Sequence, residues 1–186
     1  MKFTPFLTAA ALIAMPIQTN AHIALLSPAP LLDGFTDRGR TLKVPPFGAP
    51  GIDVVAAPST PMKAGATIDV KLDAYVYHPG YIVALWTRDP EAKDLPLILS
   101  IPSQSSPIPH GNLLTTVDTP CHPVDGCKIQ RKSVPFTFQV TLPDVEGEIY
   151  LVIRQVMYDK FDVQDDGSVD LRRIYYHQAS KLNLSK

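Results

Sequence analysis

ATIDVKLDAYVYH, residues 66–78, alternates apolar and polar side chains with a period of two. Such alternation is typical of a β-strand with one buried and one exposed face. His78 ends the run on its apolar side, and Pro79-Gly80 then forces a turn. YIVALWTR, residues 81–88, is mostly apolar, so we expect it to lie centrally in a sheet and to pair with residues 66–78 in a hairpin-like unit.

Other segments also have the composition of strands. They are HIALLSPAP (22–30, ending in a turn), LPLILSI (95–101), PFTFQVTL (135–142), EIYLVIRQVM (148–157) and IYYHQASKLNL (174–184). The alternation predicts which side chains share a face. Gln155 is predicted to share a face with Ile149, Leu151, Ile153 and Met157. If the last strand is regular, Tyr176 faces inward with Ile174, Leu182 and Leu184, whereas Tyr175 and His177 point the other way.

The prolines limit the fold class. The chain has 19 prolines, scattered along its length, and a helix interior tolerates proline badly. Residues 31–64 show little periodicity, so we interpret them as long ordered loops on a β scaffold. The sequence therefore predicts an all-β chain, a β-sandwich with long loops in its N-terminal half.

Residues 1–21 have the pattern of a secretory signal peptide. Lys2 precedes an apolar run, Pro16 interrupts it, and Thr19-Asn20-Ala21 is a small-residue cleavage site. We expect residues 22–186 to form a single exported domain, extracellular or periplasmic. No later apolar run is long enough for a membrane span, so we expect no span. We also expect a monomer.

Charge and cysteine content narrow the function classes. The formal charge is −1 with no basic cluster, which argues against a nucleic-acid partner. Cys121 and Cys127 lie close together in CHPVDGC, and export favours a local disulfide between them. A zinc or redox site that includes the adjacent His122 is the alternative.

Cleavage after Ala21 would make His22 the first residue of the mature protein. Its free α-amine and its imidazole could then close a chelate ring on one metal ion. His78, at the end of a regular strand, is the best candidate for a further ligand. One amine and two imidazoles in a T arrangement suit copper. The alternatives are cleavage at another position or a solvated terminus for His22, and a hydrogen-bonded turn histidine for His78.

Two residues are candidates for roles beside the metal. Tyr176 is the inward phenol of the last strand. Close to the metal, it could serve as an axial group or as a packing lid. Gln155 could hydrogen-bond an axial oxygen species or this phenol, or be a satisfied buried amide. His177 could bind metal only if a bulge flips the register. His110 and His122 are interpreted as surface residues.

HIALL, VYHPGYIVALW, RQVMYDK and YYHQAS together resemble the lytic polysaccharide monooxygenase-like proteins, in particular their short bacterial relatives. The resemblance covers most of the mature domain. It implies an immunoglobulin-like or fibronectin III-like sandwich with one copper ion in a histidine brace. His22 would give its amine and Nδ1, His78 its imidazole, and Tyr176 would stand in the axial position. It further implies oxidation of a polysaccharide C–H bond by peroxide or oxygen, with an external electron donor that reduces the copper.

The chain departs from the family pattern at cysteines. Gln178 or Ala179 occupies the place of the family's closing cysteine, and Phe47 stands where another is expected. EGEI, residues 146–149, replaces an expected CxxC. These changes concern the covalent staple of the sandwich and leave the copper ligands in place. Without the staple, packing must hold the sandwich together.

The sequence is compatible with three alternative functions. The first is an exported copper protein that oxidises polysaccharide. The second is a non-catalytic envelope protein that carries or acquires copper with the same brace. The third is a structural or carbohydrate-binding β-sandwich without metal.

Overall fold

The computed structural model describes residues 23–32, 43, 46–48, 51–74, 78, 80–95, 112–118, 135–157, 165–167 and 175–186. Their regular elements are strands: β1 (Ile23–Ser27), β2 (Thr60–Lys63), β3 (Thr67–Ala74), β4 (Gly80–Thr87), β5 (Leu113–Asp118), β6 (Pro135–Thr141), β7 (Gly147–Met157) and β8 (Tyr175–Ser185). The described residues contain no α-helix. The all-β prediction is therefore confirmed. Within these residues no helix is long and apolar enough to cross a membrane.

The strands form two sheets. One has the order β1-β3-β6 and is antiparallel, and the other has the order β2-β8-β7-β4-β5. In the second sheet only β2 runs parallel to its neighbour, β8. β4 lies between β7 and β5, as its apolar sequence predicts.

The hairpin-like pairing predicted for residues 66–78 and 81–88 is wrong. β3 belongs to the three-stranded sheet and β4 to the five-stranded sheet. Alternation identifies a strand and its buried face, but it carries no information about the partner. Here the chain between Ala74 and Gly80 crosses from one sheet to the other, and each strand pairs with partners far along the sequence.

The main core lies between the two sheets. It is built by alternate side chains from both sheets: Ile23, Leu25, Val70, Leu72, Ile82, Ala84, Val140, Leu142, Ile149, Leu151, Ile153, Met157, Tyr176, Leu182 and Leu184. The predicted buried faces of residues 66–74, 135–142, 148–157 and 175–184 are thus confirmed. We call this side of each sheet its inner face.

A second apolar cluster covers the outer face of the five-stranded sheet. It joins Tyr81, Val83, Leu85, Tyr150, Val152, Val156, Tyr175 and Ala179 with Phe47, Val54 and Leu95. The Phe47 and Tyr150 rings stack with centroids 4.9 Å apart, and the Tyr150 hydroxyl donates a hydrogen bond to the Val54 carbonyl at 3.1 Å. The described part of the 31–64 region is therefore packed against the sheet, as predicted for ordered loops.

Two strands escaped prediction. β2 lies inside the region interpreted as loop, and β5 follows the segment at 95–101 that was predicted as a strand. Every residue of β5 is at least partly exposed, so no alternation marks it, and β2 is a four-residue edge strand that contains a proline. Beyond Leu95, the predicted strand at 95–101 lies outside the described residues.

Candidate functional site

Strand ends from both sheets collect at one end of the sandwich. Ile23, the start of β1, pairs with Ala74, the end of β3. Gly80, the start of β4, pairs with Met157, the end of β7. The five residues between Ala74 and Gly80 span at most about 20 Å, too little to run back along an eight-residue strand. Both pairs therefore lie at the same end, which we call the site end.

His78 is held at the site end on the crossing between the sheets. It lies between the last residue of β3 and the first residue of β4 and is 2% exposed. Its Nε2 atom is buried. The alternation of residues 66–78 predicts an apolar-side position for His78, and its burial agrees with that position.

Gly80 fixes where this crossing meets the five-stranded sheet. Its φ of +152° is a conformation that side-chain-bearing residues rarely adopt. A Cβ atom added at Gly80 would lie 2.0 Å from the Val156 carbonyl oxygen. Only glycine allows β4 to start this close to β7.

Gln155 and Tyr176 are cross-strand neighbours that lie side by side on the inner face near the site end. Gln155 of β7 pairs with Ile82 of β4 on one side and with Tyr176 of β8 on the other. Gln155 is 0% exposed, and within the described part of the chain its amide Oε1 and Nε2 have no hydrogen-bond partner. An unpartnered buried amide is costly, so a polar ligand at this end would stabilise it.

Tyr176 is a buried, neutral phenol. It is 8% exposed, and burial raises its pKa to about 12. At physiological pH the hydroxyl therefore keeps its proton and can donate a hydrogen bond. The Lys43 ammonium lies 4.6 Å from the centroid of its ring, a cation–π contact. Sequence reasoning missed Lys43, because nothing in an aperiodic loop indicates which ring a lysine will cover.

His177 lies on the opposite face of the sheet from Tyr176. The β7–β8 pairing runs without a bulge, and His177 pairs with Arg154. Its ring is edge-on to Tyr175 at 5.5 Å, and the Arg154 guanidinium lies 4.9 Å from the Tyr175 ring centroid. Burial lowers the pKa of Arg154. The register flip that would bring His177 to the inner face does not occur.

Phe47, Gln178 and Ala179, the residues at positions where the resemblance predicts cysteines, make different contacts. Ala179 shares the outer-face cluster with Phe47, so a methyl group and an aromatic ring pack where the resemblance leads one to expect cysteines. Gln178 points to the inner face and accepts a hydrogen bond from the Leu25 amide of the other sheet. Ser180, further along β8, donates a hydrogen bond to the Pro28 carbonyl at 2.9 Å. Packing and cross-sheet hydrogen bonds hold β8 to the N-terminal segment.

Several predicted residues lie outside the described residues. These are His22, His110, His122, Cys121 and Cys127, so their sites stay predictions. Among the residues that are described, no group of three or more His, Cys, Asp or Glu could hold a metal ion. The site end thus brings together His78, Gln155, Tyr176 and Ile23, the residue that directly follows His22.

Solved structures with a similar chain trace include two lytic polysaccharide monooxygenases and a chitin-binding domain. The AA15 lytic polysaccharide monooxygenase from Thermobia domestica in the Cu(I) state is 16% identical, with 67% of this chain and 62% of that chain covered and a TM-score of 0.40. A chitin binding domain from Burkholderia pseudomallei is 12% identical, with 71% and 59% covered and a TM-score of 0.42. An AA10 lytic polysaccharide monooxygenase from Streptomyces lividans is 13% identical, with 69% and 60% covered and a TM-score of 0.39.

The matched part of this chain spans about three fifths of the length of those structures. No family model matches the chain, and no curated protein matches it in sequence. Identities and TM-scores this low identify neither a ligand nor an activity.

Proposed function

We propose that this chain is an exported copper protein that holds one copper ion in a histidine brace and oxidises polysaccharide. The α-amine and imidazole of His22, freed by cleavage after Ala21, and the imidazole of His78 would be the ligands. One observation carries the proposal: Ile23, directly after His22, begins β1 at the same end of the sandwich as the buried His78.

The donor set and its surroundings fit copper. An amine and two imidazoles are nitrogen ligands that copper binds well. The buried amide of Gln155, with both polar atoms unpartnered in the described part of the chain, fits a polar group at this end. Tyr176 stays a neutral phenol, so it would offer a hydroxyl and not a phenolate.

Copper bound here would supply the redox chemistry that attacks a polysaccharide C–H bond, with peroxide or oxygen as the oxidant and an external donor to reduce the metal. The chain's own residues would bind the copper ion and orient the groups around it. His78 is buried on the segment that joins the two sheets, and Gln155 presents an amide that can donate and accept hydrogen bonds. Tyr176 keeps its proton and closes one side of the site end with a largely buried ring.

Copper titration of the processed protein, followed by electron paramagnetic resonance, tests the brace. Protein that begins at His22 should bind one copper ion tightly, and one extra residue before His22 should weaken binding by orders of magnitude. His78→Ala should also lose binding, whereas His110→Ala, at a position interpreted as surface, serves as the matched control. An unchanged copper affinity in the extended protein would contradict the proposal.

The pH dependence gives a second check. An α-amine has a pKa of about 7.7–8.0, so near pH 7 most of it carries a proton that copper must displace. Affinity should therefore rise as the pH is raised from about 6 to 8. An affinity that stays flat over this range would contradict the amine as a ligand.

Catalysis is tested separately from binding. The copper-loaded protein should consume peroxide only in the presence of a reductant and release oxidised oligosaccharides from a polysaccharide. Copper binding without such products over a broad set of polysaccharides would identify a copper carrier of the cell envelope instead.

A further inference from the structure

Gly80 is the point at which the segment that carries His78 joins the five-stranded sheet. β4 begins at Gly80, which pairs with Met157. A Cβ atom there would lie 2.0 Å from the Val156 carbonyl oxygen, 3.0 Å from the Val156 carbonyl carbon and 3.3 Å from the Met157 Cα. All three are backbone atoms of β7, so no side-chain rotation relieves the collision.

β7 cannot move aside to accommodate a side chain. Val156 pairs with Tyr81 on one side and with Tyr175 on the other, so its backbone is tied into the sheet from both directions. On the side of β4 away from β7, the β4–β5 pairing within the described residues begins at Tyr81, which pairs with Asp118. Any relief must therefore come from the start of β4 and the residues before it.

We propose that Gly80 is a positioning residue for His78, because its missing side chain lets β4 start against Val156 and so seats the imidazole at the site end. Cβ atoms do not approach other heavy atoms closer than 3.0 Å, so any side chain at position 80 must shift the chain by about 1 Å. Metal and catalytic sites tolerate displacements of about 0.5 Å. His78 is two residues away, joined through Pro79, and proline allows little torsional compensation.

This inference rests on the proposed function for its consequence at the metal, but the seating of His78 can be measured without metal. Gly147 offers a matched control. It also has a positive φ, +96°, and starts a strand, β7, but a Cβ there would meet nothing within 4 Å. Gly80→Ala and Gly147→Ala thus each carry a backbone penalty, and only Gly80→Ala adds the collision.

The first measurement is chemical labelling of His78 by diethyl pyrocarbonate in the metal-free protein, located by peptide mass analysis. His78 should be protected in the wild type and in Gly147→Ala, since it is buried, and it should become reactive in Gly80→Ala. The second is the copper affinity and the copper hyperfine coupling. Gly80→Ala should bind copper about 10- to 100-fold more weakly with a changed coupling, whereas Gly147→Ala should match the wild type.

Wild-type protection and wild-type affinity in Gly80→Ala would overturn the inference. A wild type that binds no copper, together with His78 exposure in Gly80→Ala, would reject the brace and leave the positioning role standing. If Gly80→Ala does not fold, a glycine inserted between Pro79 and Gly80 supplies the same test. It keeps glycine against Val156 and displaces His78 by one residue, so labelling and copper loss are again expected and their absence overturns the inference.

Discussion

The Leu25 amide of β1 donates a hydrogen bond to the Gln178 side-chain oxygen of β8, across the gap between the two sheets. Leu25 and Gln178 are both buried, and 153 positions separate them in the sequence. Gln178 lies two residues from Tyr176 on the same face of β8. The bond therefore ties the strand that carries Tyr176 to the strand that directly follows His22.

Gln178→Ala should destabilise the fold by about 1–3 kcal/mol, because the buried Leu25 amide then loses its acceptor. Urea unfolding measures this change. Gln139→Ala is the matched control, since Gln139 also lies in a strand but is exposed, and it should change stability by less than about 0.5 kcal/mol. Equal effects of the two substitutions would show that the cross-sheet bond contributes nothing.

Tyr176 should make the protein lose stability at alkaline pH. Its pKa is raised to about 12 in the fold, above the value of about 10 for an unfolded chain. The neutral phenol stabilises the fold fully below pH 10, and this contribution is lost as the pH rises through 12. Between these values the wild type should lose stability more steeply than Tyr176→Phe, as measured by urea unfolding at a series of pH values. Parallel profiles would contradict a buried neutral phenol.

Strand faces could be predicted from the sequence, because the alternation of apolar residues directly reports burial. Gln155 and Tyr176 were placed on the inner face for this reason, and they lie in register there. Strand partners could not be predicted, because a strand such as β3 carries the same alternation whether it joins β4 in a hairpin or crosses to another sheet. β5, an edge strand whose residues are all at least partly exposed, gave no alternation at all.

The contacts made by the loops could not be predicted from the sequence either. The contact of Lys43 with the Tyr176 ring and the contact of Lys181 with the 51–59 segment depend on where an aperiodic chain folds back. Composition gives the number of lysines but not which carbonyl or ring each one meets. The collision that Gly80 avoids is likewise set by the distance between two backbones.

Lys43→Met should lower the reduction potential of the proposed copper centre. The Lys43 ammonium, 4.6 Å from the Tyr176 ring centroid, adds a positive charge next to the residue proposed for the axial position. A nearby positive charge favours the less charged Cu(I) state, so its removal favours Cu(II). Lys43→Arg keeps the charge and should keep the potential. Redox titration followed by electron paramagnetic resonance measures the reduction potential. An unchanged potential in Lys43→Met would show that the Lys43 charge does not act on the metal site.

Lys181→Met should release the 51–59 segment from the outer face of the five-stranded sheet. The Lys181 ammonium donates hydrogen bonds to the Val55 carbonyl at 2.6 Å and the Ala57 carbonyl at 3.2 Å, and it lies 3.1 Å from a Glu148 carboxylate oxygen. The side chain is 4% exposed, so methionine can fill the same space but leaves both carbonyls without this donor. We expect a loss of about 1–3 kcal/mol in urea unfolding.

Hydrogen exchange should localise the effect of Lys181→Met, with faster exchange across residues 51–59 and little change in the inner-face core. Lys71→Met, at an exposed position of β3, is the control and should leave both stability and exchange at wild-type values. Because Tyr150 holds the same segment through its bond to the Val54 carbonyl, Tyr150→Phe should add to the effect. Wild-type exchange at residues 51–59 in the Lys181→Met protein would mean that apolar packing alone holds the segment.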